Sequence, residues 1–224
     1  MKNIAKRPPG RPRSFSATAA LDRAIPVFWE KGYEGASYRD LTSAMGISAP
    51  SLVAAFGDKR RLFEAAVVRY GETVAAQYRA ALESEGSLRD RLTAFFAVAI
   101  CSAAGEGKPT GCLVTCALAD AAGGDAAAGA QLCTLMGAAD EALTPPFSAA
   151  GFPPAEARSR AQIAVATMHS IALRARAGAS KAELQQVSDT AVRLLTADGV
   201  QADPAERRVV RRQPAATPGR PVPV

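Results

Sequence analysis

Leu41-Thr-Ser-Ala-Met-Gly-Ile-Ser-Ala-Pro-Ser-Leu-Val-Ala-Ala-Phe56 decides how this chain is read. The stretch holds two short helical patterns with a glycine between them. The first runs from Tyr38 to Met45, opened by a Ser37-x-x-Asp40 capping pattern and closed by Gly46. The second runs from about Ala49 to Phe56, with Ser48 as its cap and Pro50 in the first turn, where a missing N–H costs little. Two such helices joined by a turn of about three or four residues cross steeply, as a helix-turn-helix. Leu41, Met45, Ile47, Leu52 and Phe56 fall on the inner side and pin the pair together. Ala49, Pro50, Ser51 and Val53 are left facing outward, a small and uncharged surface suited to a major groove.

The flanks agree with this reading. Ser37 stands where helix N–H groups and a hydroxyl can meet a phosphate, and Lys59 follows the second helix in a similar position. Residues 1–13 hold Lys2, Lys6, Arg7, Arg11 and Arg13 with no acid, and their prolines oppose a helix. They read as a flexible basic arm whose Arg11 and Arg13 enter a neighbouring minor groove.

Charge divides the chain in the same way. Residues 1–60 carry ten Lys and Arg against five Asp and Glu, a surplus of +5. Residues 61–197 carry −1, and 198–224 carry +2. A basic front on a near-neutral body implies that one module meets a polyanion. The last 27 residues, rich in proline and arginine, read as a disordered tail.

The body between is helical throughout. Alanine is abundant, aromatics make up only 6%, and strand-type runs are sparse. Leu21, Ala24, Ile25, Phe28 and Trp29 make one stripe on a helix from about Ser16 to Lys31, stopped by Gly32. Pro26 inside it is expected to kink the helix or delay its start. Further helices are expected over Lys59–Glu83, Leu88–Ala103, Cys112–Ala121, Ala126–Leu143 (ending at Pro145-Pro146), Pro154–Ala177 and Ser180–Leu195. The fold class is therefore all-α with about nine helices. The expected division is an arm over 1–13, a helix-turn-helix domain over 14–60, a larger helical domain over 61–197, and a tail over 198–224.

Gly10-Arg-Pro-Arg13, Val27-Phe-Trp-Glu-Lys-Gly-Tyr33, Ser37, Asp40-Leu41, Met45-Gly-Ile-Ser48, Ser51-Leu52, Phe56-Gly-Asp-Lys59 and Leu62-Phe63 together resemble the N-terminal signature of the tetracycline-repressor (TetR/AcrR) family. The resemblance covers roughly residues 10–65 without gaps. It implies three N-terminal helices that bind double-stranded DNA at a palindromic operator. It also implies a homodimer closed by the last two helices of each chain, and a small organic effector that releases the DNA. Carried over by position, Ser37 and Lys59 are phosphate contacts, while Ser48, Ala49, Pro50, Ser51 and Val53 lie at the groove. Val53 stands where the family usually has tyrosine, and Arg60 where it usually has an acid.

Elsewhere the chemistry is spare. Phe95, Phe96 and Ile100 form an apolar stripe that is core or effector pocket; Phe96 and Ile100 are candidates for the pocket. His169, the sole histidine, is a candidate to hydrogen-bond an effector, or else a satisfied core histidine. Cys112 and Cys116 are four apart and expected to share a helix face; Cys116 is a further pocket candidate. Buried, inert thiols are the competing reading. Four clustered ligands are lacking, so no zinc site is expected, nor any cofactor. No phosphate-loop, zinc-protease or serine-hydrolase motif occurs, and the expectation is that the protein is not an enzyme. A charged, proline-rich front and the absence of a long apolar run point to the cytoplasm and no membrane partner. The competing function is a helical small-molecule-binding protein or enzyme whose helix-turn-helix is vestigial.

Overall fold

The computed structural model describes residues 15–107 and 109–197. Among them are nine α-helices, one π-helical stretch and no strand: α1 (Ala17–Gly35), α2 (Tyr38–Met45), α3 (Ala49–Phe56), α4 (Lys59–Glu83), α5 (Leu88–Ala104), a π-helical segment (Leu113–Leu118), α6 (Ala119–Ala122), α7 (Ala126–Ala149), α8 (Pro154–Arg176) and α9 (Lys181–Leu195). The basic arm with Arg11 and Arg13, and the tail over 198–224, lie outside the described residues.

Caps account for most boundaries. Ser37, Ser87 and Ser180 each accept from the backbone N–H three residues on, and Asp40, Asp90 and Glu183 return the bond to the cap's own N–H. Gly46 closes α2 in the left-handed region, at φ 67° and ψ 33°.

Three expectations need correction. Helical dihedrals run through Pro26 from a start at Ala17, and the only break in α1 is at Gly32, with φ 71° and ψ 177°. Pro26 and Asp22, whose carbonyl loses its donor, are both exposed, so water can satisfy that carbonyl. Helix α7 does not stop at Pro145-Pro146 but continues to Ala149. Leu143 and Phe147 on either side of the prolines are fully buried, and this packing outweighs two lost backbone bonds. Over 112–121 a π-helical turn precedes the short α6, with Ala119 N–H donating to the Val114 carbonyl.

The apolar interior forms two clusters. One gathers Phe28, Trp29, Leu41, Met45 and Leu52 with Leu62, Phe63 and Val67 of α4, and is closed by Leu113, Leu118 and Ala128. The other joins the end of α4 to α5, α7, α8 and α9 around Phe96, Phe147 and Ile171. Helix α4 belongs to both.

Between the clusters lies a knot of hydrogen bonds. The break at Gly32 deprives the carbonyls ahead of it of helical donors. Arg176, at the end of α8, supplies them: its guanidinium donates to the Trp29 carbonyl (3.0 Å), the Glu30 carbonyl (2.9 Å) and the Thr110 carbonyl (3.3 Å). The Trp29 indole N–H also donates to Thr110 (3.2 Å). Gly111, at φ 88°, packs beneath this knot. A Cβ there would lie 2.8 Å from Cys116 Sγ, 3.2 Å from Arg176 Cβ and 3.3 Å from the Ala172 carbonyl. Left-handed strain and overpacking act together in Gly111→Ala, which is expected to lose about 2–4 kcal/mol of unfolding free energy by denaturant titration.

Candidate nucleic-acid interface and the cavity behind it

Helices α2 and α3 cross with Leu41, Met45 and Leu52 sealed between them, while Ile47 and Phe56 pack half-buried at the edge. The outward face of α3 is open. Val53 is 54% exposed, Ser48, Ala49 and Pro50 are exposed, and Ser51 is half-buried. Ser48 Oγ accepts the Ser51 N–H and lies 2.9 Å from Ser51 Oγ, so both hydroxyls serve the start of the helix.

Ser37 is exposed, but its polar groups are occupied. Its hydroxyl and backbone N–H both donate to Asp40 Oδ2, at 2.7 and 3.1 Å. The Asp40 carboxylate also takes Lys31 Nζ at 2.6 Å, tying the end of α1 to α2. Lys59 projects its ammonium over the Tyr33 ring, 4.6 Å from the centroid, and its backbone N–H donates to the Tyr38 hydroxyl at 3.0 Å. Two exposed residues at the start of α2 were missed from sequence, Tyr38 and Arg39. A cation two residues after a capping serine was the available signal for Arg39.

Behind this unit, α4, α5, α7 and α8 enclose a cavity of about 710 Å³. Its wall is mostly apolar, with Tyr70, Val74, Tyr78, Phe95 and Leu143 among its residues. Of the four pocket candidates, His169 lies on the wall; Phe96 and Ile100 are buried in the second core, and Cys116 is half-buried with its Sγ beside Gly111. Their neighbours Phe95 and Cys112 line the cavity instead. The π-turn explains the cysteines: wider winding means that residues four apart no longer share a face. All four thiols are free; Cys101 and Cys133 are exposed.

His169 Nδ1 lies 2.7 Å from Thr115 Oγ1, while Nε2 is buried without a partner. Burial pushes the imidazole pKa down, against a smaller opposing effect of Asp140. Burial likewise raises Tyr70 and Tyr78 above the ordinary phenol value. Tyr70 donates to Cys112 Sγ at 3.4 Å and meets Trp29 edge-on, with centroids 5.1 Å apart. Among the described residues no three His, Cys, Asp or Glu side chains gather in a way that could hold a metal, and no helix is long and apolar enough to cross a membrane.

Residues 20–66 match the profile described as "Bacterial regulatory proteins, tetR family". Over 82% of this chain and 98% of the other, the fold superposes on the TetR-family regulator CifR, a cysteine mutant complexed with 26-bp double-strand operator DNA, at 29% identity and a TM-score of 0.73. The chain is thus similar to tetR-family regulators, in sequence over residues 20–66 and in fold over most of its length. A TetR-family regulator from Cytophaga hutchinsonii, 20% identical over 84% of this chain and 98% of its own, shares the fold with a TM-score of 0.72. Among curated relatives, the HTH-type transcriptional repressor ComR of Escherichia coli K12 is 39% identical over 110 residues, 49% of this chain and 52% of ComR. The repressor BdcR of the same organism is 33% identical over 108 residues, 48% of this chain and 55% of BdcR. The chain thus spans about half the length of the curated relatives it matches.

The Lys31 bond, then the Ser37 hydroxyl and N–H, hold the Asp40 carboxyl well below the usual carboxylate range. A depressed folded pKa stabilises the fold above the unfolded value of about 3.9 and loses that effect as pH falls through the folded value. Thermal melts below about pH 4 should therefore fall more steeply for the wild type than for Asp40→Asn.

Proposed function

We propose that this chain is a transcriptional repressor that binds an operator as a homodimer and releases it when a small organic molecule fills the cavity. The observation that carries the reading is the open, uncharged outer face of α3, crossed over α2 in a fold shared with a regulator bound to its operator. Residues 14–60 are the DNA-contacting part, and 61–197 bind the effector and dimerise. The protein acts in the cytoplasm, where its DNA is.

Ala49, Pro50, Ser51 and Val53 face the major groove, with Ser48 at the mouth of α3. Val53 offers a methyl contact to thymine and no hydrogen bond, so phosphates carry a large share of the affinity. Because the Ser37 groups are bound to Asp40, the phosphate at the start of α2 falls to the Tyr38 and Arg39 N–H groups and the Arg39 guanidinium, with Ser37 framing them. Lys59 meets the backbone on the other side, and Arg11 and Arg13 enter the minor groove. In the dimer two α3 helices must sit about one helical turn, roughly 34–36 Å, or a multiple of it apart.

Helix α4 supplies the lever. Its first half is fixed in the N-terminal core and its second half walls the cavity. An effector that favours one tilt of α4 shifts the population towards dimers with mis-spaced α3 helices.

Gel-shift titration against DNA from upstream of the chain's own gene tests the DNA reading. Affinity should fall steeply with salt, and Val53→Glu should abolish the shift while leaving the fold intact. A salt-independent shift, or no shift at low salt from a folded dimer, would sink it.

The dimer reading rests on the apolar surface of the last two helices: Ile163 (55%), Leu173 (53%) and Leu194 (61%) are all strongly exposed. Ile163→Glu with Leu173→Glu should give a folded monomer by sedimentation equilibrium, at least tenfold weaker on the operator. A dimer unaffected by both changes would place the interface elsewhere.

A further inference from the structure

We propose that the cavity selects an organic acid, with the ligand's carboxylate paired to Arg91 and its apolar body held among the aromatic side chains. The inference rests on the reading of this cavity as the effector site and adds the chemical class of the effector.

Three arginines among the described residues are neither fully exposed nor fully buried: Arg69, Arg91 and Arg160. Two of them are matched to carboxylates. Arg69 pairs with Asp22 at 2.9 Å. Arg160, whose side chain is only 15% exposed, binds Glu156 at 2.6 Å, donates to the Leu194 and Leu195 carbonyls and stacks on Phe152. Arg91 has nothing comparable. Among the described residues no carboxylate pairs with it and its guanidinium makes no hydrogen bond. Its Nε is closed off from solvent without an acceptor. The cost of a missing acceptor falls on the buried Nε, while the two terminal nitrogens stay accessible and are the ones a carboxylate in the cavity can reach. Arg91 stands on the cavity wall, so a bound molecule can be their partner.

The rest of the wall identifies the molecule. Its other charged residues are Arg79 and Glu83, both exposed on α4, so the wall holds two cations against one anion. His169 adds no charge, since burial favours its neutral form. The remaining wall is largely Tyr, Phe, Leu, Val and Ala. One planar fork of donors beside an apolar chamber fits a singly charged carboxylate with an apolar body. A phosphate monoester, with nearly twice the charge, would need more cations than the wall offers. The volume of about 710 Å³ lies within the range of small-molecule sites.

Isothermal titration of the full chain with octanoate and 3-phenylpropanoate, each against its primary amide, tests the assignment. The wild type should bind each acid at least tenfold more tightly than the matching amide. Arg91→Gln should erase that preference while leaving amide binding unchanged, and Arg91→Lys should recover part of it. Unchanged amide binding also reports that the cavity is intact. Equal binding of acids and amides by the wild type, or an acid preference that survives Arg91→Gln, overturns the inference and leaves the effector cavity standing. No binding of either class overturns both, while the operator gel-shift still reports DNA binding separately.

Discussion

The break in α1 at Gly32 and the guanidinium that answers it hold the molecule together as one object. Without Arg176 the Trp29 and Glu30 carbonyls would end a helix with no donor, and α8 would have no polar attachment to the N-terminal helices there. Thr110 accepts from both Arg176 and Trp29, so the loop ahead of the π-turn is bound into the same knot. Trp29 then rests on Tyr70, and Tyr70 lines the cavity. Four segments distant in sequence therefore meet within one or two side chains of the space where a ligand would sit.

This arrangement gives the long α4 a further connection to the N-terminal helices. It is joined to α3 through Gly57 and Asp58, and Leu62, Phe63 and Val67 pack into their core. The added route runs from the cavity wall through Tyr70 and Trp29 into α1. Displacement of Tyr70 would disturb both the cavity wall and the packing of Trp29 on the back of the N-terminal unit. Both effects are local repacking of buried aromatics, and they require no change in the helices themselves.

The sequence was legible where local chemistry dominates. Ser37 with Asp40, Gly46, and Ser48 with Pro50 each act within a turn of the backbone, and α2 and α3 begin and end near the residues expected from them. It was less legible where packing overrides propensity. Pro145 and Pro146 read as a stop, yet Leu143 and Phe147 lock the helix into the second core on both sides of them. The phase of α5 was hidden for a related reason: its apolar stripe is wide enough that Phe95 and Phe96 look alike in sequence. Only the positions of α4 and α8 put Phe95 at the cavity and Phe96 in the core. Cys116 was misplaced because nothing in Leu113–Leu118 announces a π-turn. The occupied state of Ser37 was half visible, since the same Asp40 that marks the helix start also absorbs the serine's donors.

The composition of the first core bears on how this protein can be cut and rebuilt. Phe63 and Val67 close the underside of the three short helices from within α4, and Leu113, Leu118 and Ala128 seal it from much farther along the chain. A fragment ending near residue 60 would carry Phe28 and Leu52 with one side bare to water. Chimeras that transplant this N-terminal unit onto a foreign body must therefore bring the first half of α4 and a surrogate for residues 113–128, or else redesign the exposed seam.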